Sequence, residues 1–143
     1  MINETLLFAI LLMLEAGGEP WRGKAAVADT VITRQRQSGK SLTEVMLAPK
    51  QFSCFNNTKT AGKFAADVAA GQHRNDQSWK DCLVLAELAC RPGYRVKVKA
   101  THYYAPARLK CAPYWAKSMR EVAVIAGHRF MIEKKYAKLK GTP

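Results

Sequence analysis

Residues 15–34 read Glu-Ala-Gly-Gly-Glu-Pro-Trp-Arg-Gly-Lys-Ala-Ala-Val-Ala-Asp-Thr-Val-Ile-Thr-Arg (EAGGEPWRGKAAVADTVITR), and their punctuation sets the architecture. The nine residues before them, 6–14 (LLFAILLML), are apolar throughout. Asn3 suits a helix N-cap, and Glu4 complements the dipole in the first turn. Gly17 and Gly18 are expected to end that helix after Glu15 and Ala16, as C-terminal glycines do. Pro20 then opens a second helix at a position that does not need its missing N–H. This helix is predicted to run to about Arg36, with Val27 and Val31 one turn apart on its inner face. The break between the two helices therefore carries two carboxylates, Glu15 and Glu19, at a corner whose shape the glycines and the proline leave open.

Outward from this corner the pattern is that of one domain over residues 1–143. The apolar run at 6–14 has the length of a signal-peptide core, but Asn3 and Glu4 stand where a basic leader belongs, and no small-residue cleavage site follows. It is too short to span a bilayer. It reads as a buried helix, in a chain expected to be made without its own export signal. Ser41-Leu42-Thr43-Glu44 is a capping box for a short helix through about Leu47, which Pro49 stops. Residues 51–57 (QFSCFNN) mix aromatic and small polar groups, as a surface loop near a site does. Helical patterns follow at about 59–70 and 78–90.

After the Arg91-Pro92-Gly93 turn the period becomes two. Val96, Val98, Ala100, His102 and Tyr104 alternate with Lys97, Lys99, Thr101 and Tyr103, which predicts a strand. Residues 120–125 and 128–132 read as two more strands across a tight Ala126-Gly127 turn. Helices first and a small antiparallel sheet in the C-terminal half make an α+β domain, mostly helical.

The 23 Lys and Arg against 11 Asp and Glu give a formal charge of +12. So basic a chain is drawn to polyanions, whether nucleic acid, anionic lipid or envelope polymer, and charge alone does not choose among them. Cys54, Cys82, Cys90 and Cys111 form no Cys-x-x-Cys pair, which argues against a zinc site. Two disulfides would suit an oxidising compartment. Because Cys82 and Cys90 fall in an apolar helical pattern, buried free thiols are the simpler account. His73, His102 and His128 show no metal-ligand spacing, and Ser53 lacks the Gly-x-Ser-x-Gly elbow of a serine nucleophile. No metal and no cofactor are expected.

Glu15 is the candidate acid. It lies in the last turn of an apolar helix, at the negative end of the dipole, so its charged form is disfavoured and its pKa is expected to rise. A glycosidase needs a carboxylic acid still protonated near neutral pH. The residues themselves leave a second account open, a solvated acid at a helix end. Glu19 is likewise open between a second site carboxylate and a polar residue before a helix.

The same segment, residues 15–34, resembles the signature of the cell-wall hydrolase family that contains the bacterial spore-cortex-lytic enzymes. The resemblance continues in residues 51–56 (QFSCFN), 100–106 (ATHYYAP), 113–116 (PYWA) and 127–130 (GHRF), in family order and over most of the chain. It implies a lysozyme-like α+β domain acting on peptidoglycan glycan strands, here as a phage endolysin expected to be made in the host cytoplasm and to act on the cell wall after release. The family's catalytic acid is the first Glu of Glu-Ala-x-Gly-Glu-Pro, which falls on Glu15; the second falls on Glu19. Two positions depart from the family. Thr33 stands before Arg34 where Asn is usual, and the basic Arg95-Val96-Lys97-Val98-Lys99 precedes the His-Tyr strand where an Asp/Thr/Gly-rich turn is usual.

Glu19, Phe52, Ser53, Thr101, His102, Tyr103 and Tyr104 are the substrate-binding candidates. Thr101 and Tyr103 share one strand face, His102 and Tyr104 the other; one face is expected to line a sugar groove and the other to pack inward. A tyrosine ring covers the apolar face of a sugar while its hydroxyl bonds to oxygens, although either tyrosine also suits a core.

Cleavage between N-acetylmuramic acid and N-acetylglucosamine by one acid fits a lytic transglycosylase, in which the muramic acid's own hydroxyl replaces water. A hydrolytic muramidase on the same bond is the alternative, and a distant Asp29, Asp67 or Asp76 folded into the groove would favour it. The rivals of another class are a non-catalytic basic wall-binding or nucleic-acid-binding module. No helix-turn-helix, zinc-finger or RNA-recognition signature supports nucleic acid as a partner. The expected partners are glycan strands and, by charge, anionic envelope polymers, met by a monomer without a transmembrane segment.

Overall fold

The Asn3 side chain accepts from the backbone N–H of Leu6 at 2.7 Å and starts the first helix, α1, at Glu4–Ala16. The architecture is that of a computed structural model, described for residues 3–48, 52 and 58–135. Phe8, Ala9, Ile10, Leu11, Leu12 and Ala16 of α1 are all buried, so the helix is covered nearly all round, as an apolar helix must be. None of the described helices is long and apolar enough to cross a membrane. Gly17 caps the helix as expected and is right-handed, at φ −59° and ψ −30°. Its need for glycine is steric, because a Cβ there would run into the Met13 carbonyl and come within 3.2 Å of the Met13 sulfur.

Pro20 is the N-cap of α2 (Trp21–Ser38), one position earlier than expected, and the helix runs two residues past Arg36. Gly39 closes it in the left-handed conformation, φ 69°, donating to the Gln35 carbonyl at 3.1 Å. The second helix is buried from Ala26 through Thr33, and the hydroxyls of Thr30 and Thr33 return to the carbonyls of Ala26 and Asp29. Thr33 thus satisfies its hydroxyl within its own helix. The Ser41–Glu44 capping box forms as read and starts α3 (Leu42–Leu47), with both of its bonds at 3.1 Å. Helices α4 (Thr58–Ala69) and α5 (Gln77–Ala89) follow, the latter capped by Asp76. The core lies where α1, α2 and α5 meet the sheet.

The predicted strand over 96–104 shrinks to β1 (His102–Tyr104). One buried carboxylate explains the loss. Asp29 of α2 accepts the N–H groups of both Lys97 (3.0 Å) and Val98 (2.9 Å) on one oxygen and the Tyr94 hydroxyl on the other. Successive amides of a paired strand point to opposite edges, so a segment whose neighbouring N–H groups converge on one atom leaves no ladder. The side-chain alternation was real: Val96, Val98 and Ala100 turn inward while Lys97 and Lys99 are exposed.

β2 (Met119–Ile125) and β3 (His128–Glu133) form the expected hairpin, with Ala126 at φ 52° in its turn and a bulge between Glu121 and Ala123. The antiparallel order is β1-β3-β2, with Tyr103 opposite Phe130. Helices and a small C-terminal sheet make the fold α+β. Cys82 is buried and its thiol is pushed up to about 12 by burial. Cys90, expected inside, is exposed because it caps α5 instead of continuing its apolar stripe. Among the described residues the cysteines are free; Cys54 lies outside them.

Candidate active site

The corner between α1 and α2 is locked by a buried lysine: the Lys24 ammonium, 4 % exposed, donates to the Glu19 carbonyl. The Ser78 hydroxyl donates to the Gly17 carbonyl at 2.5 Å and ties the corner to α5. Glu15 and Glu19 are thus held on either side of the two-glycine step.

Glu15 is half-buried, within electrostatic reach of Arg34 on α2 and His128 at the start of β3. Arg34 donates through Nε to the Thr101 carbonyl, and its guanidinium carbon lies 4.9 Å from the centre of the buried Phe52 ring. Burial lowers its pKa, while the oxygens of Tyr103 and Glu15 act in the opposite direction. Tyr103 stands edge-on to the His128 ring at 5.5 Å and lies 5.8 Å from Phe130.

Glu19 meets the same histidine from the other side. Its Oε1 lies 3.0 Å from His128 Nδ1, at ion-pair distance but without the alignment of a hydrogen bond. A Cβ at Gly127 would come within 3.4 Å of that oxygen, and one at Gly23 within 2.9 Å of the Glu19 Cβ. These two glycines make the room in which Glu19 rests. Burial pulls the His128 pKa below its ordinary value, and Arg108 adds to this, against the pull of Glu19 and Glu15. The ring is therefore neutral near pH 7 and its contact with Glu19 is that of an imidazole with a carboxylate.

Of the residues singled out in sequence, the structure gathers Glu15, Glu19, Phe52, Thr101 and Tyr103 around Arg34 and His128. It sends His102 and Tyr104 to the other face of the sheet, where Trp115 packs on them at 4.9 and 5.8 Å. Burial and the nearby Arg34 bring the His102 pKa down to about 4, against the opposing pull of Glu133. His102 still borders a cleft of about 350 Å³ that continues from Arg34 and Thr101 past Lys40, Glu44 and Glu133. Ser53 lies outside the described residues.

The three distant aspartates are engaged elsewhere. Asp29 is saturated as described, Asp67 pairs with Lys63 at 3.0 Å, and Asp76 caps α5. Among the described residues no group of three or more His, Cys, Asp or Glu is placed to hold a metal ion.

Sequence reasoning passed over Arg34 and His128 as site residues, and over Trp115 as the cover of the opposite face. The signal was present, since each falls inside one of the quoted blocks: VITR, GHRF and PYWA.

A family model described as Cell Wall Hydrolase matches residues 18–131. The matched span begins just beyond Glu15 and includes Glu19, Arg34, the His102–Tyr104 strand and His128. No curated protein and no solved structure gives a significant match.

Proposed function

The chain belongs to the cell wall hydrolase family and is by that membership a peptidoglycan-degrading enzyme; on this premise we propose that it is a lytic transglycosylase with Glu15 as its one catalytic acid. The bond cut is that between N-acetylmuramic acid and N-acetylglucosamine.

The observation that carries this reading is the division of labour among the carboxylates. Glu15 lies half-buried among Arg34, His128 and Tyr103. Glu19 is taken up by His128 and the hairpin turn, and acts as a positioning residue for both. Asp29, Asp67 and Asp76 are spent on other contacts, so none is at hand to activate water.

The Glu15 carboxylic acid donates its proton to the glycosidic oxygen as the bond from that oxygen to muramic C1 breaks. The muramic 6-hydroxyl then attacks C1, and its proton passes to the Glu15 carboxylate, which restores the acid. The nucleophile is held on the same sugar, with the advantage of an intramolecular reaction. Tyr103 is the sugar contact this geometry favours, and Thr101 and His102 border the continuation of the groove, while Phe52 is buried beneath the Arg34 guanidinium and supports it. Tyr104, packed beneath Trp115, supports the strand.

Digestion of peptidoglycan in heavy-oxygen water tests the choice. The expected muramic product is the 1,6-anhydro sugar without solvent label. Quantitative label at a new reducing end would overturn it and make the enzyme a muramidase, with Glu19 as the candidate to direct the water.

A further inference from the structure

A second cleft, of about 600 Å³, opens beside the last turns of α2. Arg36 and Gln37 line it from the helix, and Tyr94, Arg95, Val96 and Lys99 from the loop ahead of β1. Three of its side chains are cationic and none of its lining residues is acidic. The contrast with the neighbouring cleft is sharp, because there Arg34 and Lys40 are answered by Glu44 and Glu133. Gln37 borders both clefts and forms the ridge between them.

The cationic loop is held in place from beneath. Asp29 takes the N–H groups of Lys97 and Val98 and the Tyr94 hydroxyl, so its own charge is buried and saturated. Arg36 donates to the Tyr94 carbonyl at 2.5 Å, which fixes the helix side of the cleft against the loop side. Arg95 and Lys99 are exposed at the rim of a wall that is already ordered. Cations on a fixed frame lose little freedom on binding an anion, and guanidinium groups match the paired oxygens of a phosphate. Tyr94 and Val96 add carbon surface, which suits the backbone of a polyol.

We infer that this cleft is a phosphate-binding site for a polyol-phosphate polymer of the bacterial envelope, and that it anchors the enzyme beside its glycan substrate. The reading uses the basic loop of residues 95–99, which the glycan groove does not take up.

The test is titration of the full-length protein with poly(glycerol phosphate) free of peptidoglycan, at about 0.15 M salt, where long-range attraction between exposed charges is largely screened. This polymer has no bond for the enzyme to cut, so the result is independent of the transglycosylase reading. The double variant Arg95→Ala/Lys99→Ala is expected to weaken binding at least about tenfold, as the loss of two charge-assisted contacts implies. Its melting temperature and its turnover of short soluble glycan fragments are expected to stay unchanged. The control variant Lys80→Ala/Lys117→Ala removes the same charge elsewhere and is expected to keep the affinity. Equal weakening by the two variants would reduce the site to diffuse charge and overturn the proposal. So would equally tight binding of a single-stranded oligonucleotide with the same number of phosphates, or a loss of fragment turnover in the Arg95→Ala/Lys99→Ala variant.

Discussion

His102, Tyr103 and Tyr104 are consecutive, and the two faces of the sheet they enter have different environments. Tyr103 points to the helical side with His128 and Phe130, where Arg34 and Glu15 also gather. His102 and Tyr104 lie on the opposite face beneath Trp115, with the Arg129 guanidinium 5.7 Å from the Tyr104 ring. Residue type does not separate the two sets, since both contain histidine and tyrosine. What covers each face does. The helical face ends at a corner where charged groups meet; on the other, Trp115 covers His102 and Tyr104, and its ring contacts hold the sheet together.

The largest expected effect belongs to the helical face. Glu15→Gln should lower wall lysis by at least about a hundredfold, the low end for general acid catalysis, with an unchanged melting temperature. Glu19→Gln, assayed at equal folded concentration, should lose less. Equal loss in the two variants would replace the single acid by a two-carboxylate mechanism.

Next comes the sealed face. Trp115→Ala should cost about 2 kcal/mol of stability in urea unfolding, less than a fully buried aromatic because the ring is only half-covered. Turnover per folded molecule should hold. If activity collapses while stability is retained, Trp115 belongs to the groove and the contrast between faces fails.

A smaller difference should separate the two tyrosines. Tyr103→Phe is expected to reduce turnover by up to about tenfold, the scale of one lost hydrogen bond. Tyr104→Phe should leave it unaltered. Steady-state rates on soluble fragments decide between them, and the reverse order would exchange the roles of the faces.

The remaining effect is one of pH. His102 is held near 4 in the fold, against an ordinary value of 6.5. Between those values the unfolded chain binds the extra proton, so stability contributed by the neutral ring is present above about pH 6.5 and is lost as pH falls toward 4. His102→Gln should flatten that part of the melting-temperature profile relative to the parent protein. Parallel profiles would show that His102 does not titrate against folding.

Much of this was legible in sequence because it rests on near neighbours. Asn3 caps Leu6, Ser41 and Glu44 cap each other, and a two-residue turn joins β2 to β3; each signal spans a few residues. The α1–α2 corner with its two carboxylates follows in the same way from two glycines and a proline. The strand expected over 96–104 failed for the opposite reason. Its period of two reported inward and outward side chains correctly, but a period does not say where the N–H groups go, and Asp29 claimed two of them from 68 and 69 residues away. The same distance hid Arg34, whose bond to the Thr101 carbonyl spans 67 residues. Sequence alone therefore determined the helices, the hairpin and the acid at the corner, since helical period, caps and turns are written in local chemistry. Only the tertiary structure decided which face of β1 meets Glu15, which acids are spent on structure, and that the basic loop frames a cleft, because those depend on contacts between segments too far apart in the chain to leave a local pattern.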